Sequence, residues 1–266
     1  MLPETAFLRR LPVSVNPESR LIYESLTTAS DLSSAAYARL EAAAAQLPIA
    51  NASSLLRPLR SQLVGDAWSL IDNLHSAVQL LQMIDPPEKL PPAVAEWLEA
   101  AAKVGVLRNY RDHLRAQIPN LAKRKGHPSP IFGALLFQFT EIISSEPEPY
   151  IEINTFGIVT GHNPQGSAWN SPGVDLVNGV TGLKICLHAF DETIDLTSLT
   201  SGLAAIINRA SVHLEKTVAA HIEASEASAD EKAAASEPFK TDLTFVSTHT
   251  IRRVAKRASV DGENPA

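Results

Sequence analysis

The chain has 266 residues, a formal net charge of −6 and 45% hydrophobic residues. This length suits one large domain or two small ones, and the hydrophobic fraction is enough for a substantial core. The single cysteine, Cys186, excludes an internal disulfide and a zinc site built from several cysteines. We expect a cytoplasmic protein without a membrane anchor, because the first residues lack the basic and apolar segments of a secretion signal and no apolar run could span a bilayer.

Three long helices are predicted in the first half of the chain. The first begins at Asn16-Pro17-Glu18, a strong helix start, and apolar or small residues then recur every three or four positions. The third opens after Pro91-Pro92 and is predicted to continue to about Leu121. The second covers residues 54–84 and has the clearest apolar stripe, consisting of Leu59, Leu63, Ala67, Leu70, Leu74, Ala77 and Leu81.

After the third helix the pattern changes to the two-residue period of strands. Apolar and polar residues alternate over 131–143 and again over 150–160, and a third strand is predicted within 174–190. Phe137 and Phe139 share the face that we expect to pack on the helices. These segments predict a small antiparallel β meander.

The rest of the chain is predicted to contain one more long helix and a tail. Thr197 or Ser198 can cap a helix that runs to about Ala224 and returns to the core. The composition from residue 225 onward is too poor in apolar residues to offset chain entropy. The predicted fold class is therefore α+β, with an antiparallel bundle of three long helices in residues 1–124, the β meander and final helix packed on it in 125–224, and a disordered tail in 225–266.

The strongest candidate for a site lies in the third helix. Arg108 is followed by Asn109, and His113 comes five positions after the arginine. Histidine can exchange a proton near neutral pH, and arginine binds phosphate oxygens through two parallel donors. In a straight helix Asn109 and His113 lie one turn apart, whereas Arg108 and His113 diverge by about 140°. A second copy of the helix, or a ligand lying across it, would be needed to bring them together.

Two carboxylates are predicted to support Arg108. Asp112 follows it by one helical turn. Asp66, on the second helix, would lie level with Arg108 if the two helices are antiparallel and joined by a loop centred near Pro87. A carboxylate fixes a guanidinium through two hydrogen bonds, which arginine suits better than lysine.

The face of the third helix that leads to this site carries small residues. Ala101, Ala102 and Gly105 are predicted to share this face with Asn109 and His113. They would let the backbone of another helix approach closely just before the polar residues.

The same segment is the most basic part of the chain. Between Lys103 and Lys125 there are seven Lys or Arg residues against a single acid. Such a stretch would attract an RNA backbone with an affinity that falls as salt rises. The residues expected to contact RNA are Arg111, Arg115, Lys123, Arg124 and Lys125.

An arginine, a polar residue, three further residues and a histidine on a late helix of an antiparallel bundle resemble the motif of the HEPN superfamily. Many of its members are RNA-cleaving toxins and defence or processing nucleases. The matching residues are Arg108, Asn109 and His113, and the resemblance covers roughly residues 17–121. It implies metal-independent cleavage of RNA to a 2′,3′-cyclic phosphate. The histidine would activate the ribose 2′-hydroxyl or protonate the leaving oxygen, the arginine would stabilise the pentavalent phosphate, and the polar residue would orient the pair.

The resemblance also implies partners. Two copies of the motif usually meet at a dimer interface in that family, so we expect a homodimer, with RNA as substrate and an antitoxin or another protein as a further partner. Two alternatives remain open: a non-catalytic scaffold that self-associates through the same helix, and an RNA-binding accessory protein. Asp72 and His75 share a helix face, but two ligands do not make a metal site, and we expect neither a metal nor a cofactor.

Overall fold

The structure is a computed structural model that describes residues 2–47, 56–84, 89–123, 131–143, 150–159, 182–190 and 192–238. A short 3-10 turn at Phe7–Arg9 precedes the first long helix. The predicted α+β class is confirmed. In chain order the other elements are α1 (Pro17–Ala44), α2 (Leu56–Ile84), α3 (Pro92–Asp112), α4 (Leu114–Lys123), β1 (Ala134–Ile143), β2 (Tyr150–Val159), β3 (Gly182–Ala189), β4 (Glu192–Asp195), α5 (Leu196–Ala224) and α6 (Ala229–Ala235).

Helices α1, α2, α3 and α5 pack together as a bundle. The side chain of Asn16 accepts a hydrogen bond of 2.8 Å from the Glu18 N–H, which caps α1 as the sequence predicts. Helix α5 contacts the other three helices, so the predicted return of the last helix to the core is confirmed. Every residue of the predicted α2 stripe is buried: Leu59, Leu63, Ala67, Leu70, Leu74, Ala77 and Leu81.

Trp97 fixes α3 against α5. Its side chain is buried, and its indole N–H donates a hydrogen bond of 2.9 Å to the carbonyl oxygen of Leu199. Gly202 leaves room for the ring, because a Cβ at this position would lie 2.6 Å from the indole. This contact sets the face that α3 turns toward the core.

The four strands form an antiparallel sheet in the order β2-β1-β3-β4. Phe137 is buried and Phe139 packs against the core, so the predicted inner face of the first strand is confirmed. The strand order differs from that of a meander, since β3 pairs with β1 instead of β2. Strand β4 was not predicted, because four residues carry too little periodicity.

Two further predictions differ from the structure. The third helix is interrupted: α3 ends at Asp112, and His113 follows with φ −109° and ψ 29° before α4 begins. Pro119, which lacks an N–H, weakens the helix beyond this point. The predicted disorder is wrong for residues 229–235, which form α6; a capping box satisfies the amides of Ser228 and Glu231 at its start. Residues 239–266 of the predicted tail lie outside the described residues.

Candidate functional site

The motif residues lie at the C-terminal end of α3. Asn109 and His113 are exposed, and 40% of the Arg108 side chain is exposed. The His113 N–H donates a hydrogen bond of 3.1 Å to the carbonyl oxygen of Asn109, which holds the last turn of α3 in place. Neither the sheet nor α5 therefore covers Asn109 or His113.

Arg108 lies between two carboxylates. Its Nε is 3.4 Å from Oδ1 of Asp72 and 3.9 Å from Oδ2 of Asp112, which is within ion-pair distance, although Nε makes no hydrogen bond to a described residue. The predicted proximity of Asp112 is confirmed. The predicted partner Asp66 is wrong, because Asp66 accepts a hydrogen bond of 2.6 Å from Nε of Arg39 on α1.

The error over Asp66 has a geometric cause. Asp72 faces Arg108 and His75 faces Gly105, so α2 and α3 are paired about a point near Leu90. The loop between the two helices was predicted from the sequence to be centred near Pro87. A shift of a few residues is enough to bring a different aspartate to the arginine.

Arg111 joins the same cluster. Its Nη2 donates a hydrogen bond of 2.6 Å to Oδ1 of Asp72, and its guanidinium lies 5.1 Å from the ring centroid of Trp68. Asp72 is therefore shared by Arg108 and Arg111. A contact of Arg111 with RNA, as predicted, would compete with this hydrogen bond, since only 24% of the Arg111 side chain is exposed.

His75 also belongs to this cluster, although the sequence prediction did not place it beside Arg108. A Cβ at Gly105 would lie 3.6 Å from its Nδ1, and that nitrogen has no hydrogen-bond partner among the described residues. Burial, followed by the positive charge of Arg108, lowers the pKa of His75 below its ordinary value of 6.5, while Asp72 and Asp112 oppose the shift. The three-residue spacing from Asp72 is the sequence signal that places His75 on the same face of α2.

The small residues that were predicted to share one face of the third helix do not form a single surface. Ala101 is buried and Gly105 lies against His75. An exposed face runs along α3 instead, and 41% of Val106 is exposed on it. Residues at spacings of three and four positions share one face of a helix. We call this face the α3 stripe, and its members are Ala102, Val106, Asn109 and His113.

The other residues predicted to bind RNA are dispersed. Arg115 and Lys123 are exposed on α4, and neither has an ion-pair partner among the described residues. Arg124 and Lys125 lie outside the described residues. Lys103, earlier in the basic stretch, forms an ion pair of 3.0 Å with Glu192 of β4. The basic stretch therefore leaves Arg115 close to the motif and Lys123 at the far end of α4 without an ion-pair partner among the described residues.

No protein-family model, no curated protein and no solved structure matches the chain. Within the part of the chain that the structure describes, no group of three or more His, Cys, Asp or Glu residues is placed to hold a metal ion. No helix in the same part is both long and apolar enough to cross a bilayer.

Proposed function

We propose that the chain is a HEPN-like, metal-independent endoribonuclease that acts as a homodimer in a toxin or defence system. The observation that carries this proposal is the exposure of the motif: Asn109 and His113 are open to solvent, and Arg108 is partly so. A motif covered by the sheet or by α5 could not reach RNA. A cytoplasmic location and an antitoxin or other protein partner belong to the same proposal.

His113 acts first in the proposed reaction. Its imidazole takes the proton from a ribose 2′-hydroxyl, and the resulting oxygen attacks the adjacent phosphorus. The bond from phosphorus to the 5′-oxygen then breaks, and the leaving oxygen receives a proton from water. The products are a 2′,3′-cyclic phosphate and a 5′-hydroxyl.

Arg108 stabilises the additional negative charge of the pentavalent phosphate. Asp72 and Asp112 lie beside its Nε and restrain the guanidinium, which reduces the entropy that it loses on gripping a phosphate. Asn109, one turn before His113, holds the backbone amide of the histidine through its carbonyl oxygen. Arg115 and Lys123 add positive charge next to the motif.

The α3 stripe is the proposed dimer interface. His113 lies on the stripe, whereas the Nε of Arg108 is buried against carboxylates that include one from α2. One protomer therefore directs the two groups to different sides of α3. A second copy packed on Ala102 and Val106 would supply the histidine that the arginine of the first copy lacks.

The ion pairs of Arg108 favour a second candidate function. They give the arginine and Asp112 a structural role without any chemistry. In that case the α3 stripe would serve a non-catalytic interaction protein or an RNA-binding accessory protein.

Cleavage of single-stranded RNA in EDTA distinguishes these functions. We expect the purified protein to leave 2′,3′-cyclic phosphate ends, and Arg108→Ala and His113→Ala to lower the rate about 100-fold or more while circular dichroism is unchanged. Arg57→Ala and His221→Ala remove exposed residues of the same types elsewhere and should cleave normally. Cleavage that persists in both motif variants would refute the proposal, and an intact dimer with no cleavage would favour the second candidate.

A further inference from the structure

A cavity of about 360 Å³ lies at the end of the bundle opposite the motif. It is bordered by the first turns of α1 and α3, by the end of α2 and by α5, and it is partly open to solvent. Its volume equals roughly a dozen water molecules, which is room for one short alkyl chain. The floor is apolar and includes Leu81, Ile84, Val94, Ile206, Ala210 and Leu214.

Two cationic side chains and a histidine lie at the rim of this cavity. Lys89, Arg209 and His213 line it, and none of its described lining residues is an aspartate or glutamate. The side chains of these three residues have no ion-pair partner among the described residues. Arg39 and Arg111, by contrast, each have an aspartate oxygen at 2.6 Å. Lys89 and Arg209 therefore bring positive charge to the rim that no described acidic residue neutralises, in a chain whose net charge is −6.

The first turn of α3 adds to this positive potential. Pro91, Ala93 and Val94 line the cavity, so the N-terminal end of the helix opens onto it. No side chain caps this end, and its first turn contains no acid. The macrodipole at a helix N-terminus favours an anion, although Pro92 has no N–H and the Val94 and Ala95 N–H groups already donate to the carbonyl oxygen of Pro91.

We propose that this cavity binds a single-tailed amphiphile with an anionic head, such as a medium-chain fatty acid. The alkyl tail occupies the apolar floor, and the head contacts Arg209 and Lys89 at the rim. Ligand sites commonly have volumes of about 300–1,000 Å³, with mostly apolar walls and a few polar groups that orient the ligand. A volume near the lower limit selects one short tail over the two tails of a membrane phospholipid.

Calorimetry with ten-carbon probes below their micellar concentrations tests the proposal without RNA. Decanoate or decyl phosphate should bind once per chain, and about 10-fold or more tighter than decanol, because the charged head gains charge-assisted hydrogen bonds. The tighter of the two anions identifies the head as carboxylate or phosphate. Decanol binding as tightly as both anions, or no binding of either anion, would overturn the proposal.

Variants locate the binding in this cavity. Arg209→Gln should weaken the anionic probe about 10-fold and leave decanol unchanged, whereas Arg57→Gln, at the opposite end of α2, should change neither. Ala210→Phe fills the floor and should abolish binding of both probes, with thermal unfolding confirming that the variant is folded. Lys89→Gln repeats the charge test if Arg209→Gln does not fold. Full affinity for the anion in the folded charge variant would overturn the assignment.

Discussion

The two faces of α2 contribute to the protein in different ways. The apolar face, from Leu59 to Leu81, is buried along its length and stabilises the bundle by removing side chains from water. Polar residues border this apolar face on two sides, with Asp66 toward α1 and with Asp72 and His75 toward α3; we call these residues together the polar face. They are only partly buried, and they lie beside charged groups on those two helices. Partly exposed ion pairs contribute little free energy. The apolar face therefore sets stability, and the polar face sets the positions of functional side chains.

The largest effect on stability should come from the apolar face. Leu74 is fully buried, so Leu74→Ala should lower the free energy of unfolding by about 2–5 kcal/mol. Leu32→Ala is the matched control, because Leu32 is 50% exposed and its loss should cost less than about 0.5 kcal/mol. Urea unfolding measures both. Equal losses would contradict the claim that burial of the apolar face sets stability.

The polar face should affect activity more than stability. Asp72→Asn removes the carboxylate shared by Arg108 and Arg111, and we expect it to change the free energy of unfolding by no more than about 1 kcal/mol. RNA cleavage should fall about 10- to 100-fold, because Arg108 loses its restraint. Asp66→Asn removes a comparable ion pair, with Arg39, and should cleave RNA normally. Equal activity in the two variants would show that Asp72 does not position Arg108.

The smallest effect should be a pH dependence of stability that comes from His75. Its folded pKa is lowered below 6.5 by burial and by Arg108, so the unfolded chain takes up a proton more readily than the folded chain. The contribution of neutral, buried His75 to the free energy of unfolding is therefore complete above pH 6.5, and it is lost as the pH falls through the folded pKa. His75→Gln should weaken the dependence of the free energy of unfolding on pH below pH 7.5, as measured by urea unfolding. His221→Gln, which changes an exposed histidine on α5, should leave the pH dependence of the free energy of unfolding unchanged.

The same division separates the features that could be predicted from the sequence from those that could not. The α2 stripe was predicted residue by residue, because a period of 3.6 is a local property of the helix. The partner of Arg108 was wrong, because it depends on the register of two helices joined by a loop, and a small error in the turning point replaces Asp72 by Asp66. The alternation of the strands was also local, whereas their order depends on a long connection.

The cationic rim of the cavity had no sequence signal. Lys89 precedes α3, and Arg209 and His213 lie on α5, more than a hundred residues later in the chain. No spacing rule connects them, since only the packing of α5 on α3 brings them together. The interruption at His113 was missed because the apolar and polar pattern continues through it, although Pro119 shortly after it is a local sign of a weakened helix.

The central claim is that Arg108 of one copy and His113 of a second copy act on the same phosphate. Mixing the Arg108→Ala and His113→Ala proteins under conditions of subunit exchange tests it most directly, with RNA cleavage as the measurement. Each variant alone should be inactive, and random assortment of a two-fold dimer should restore roughly a quarter of the wild-type activity, because half of the dimers then contain one intact site. A mixture that stays as inactive as its components would contradict a site shared between two copies.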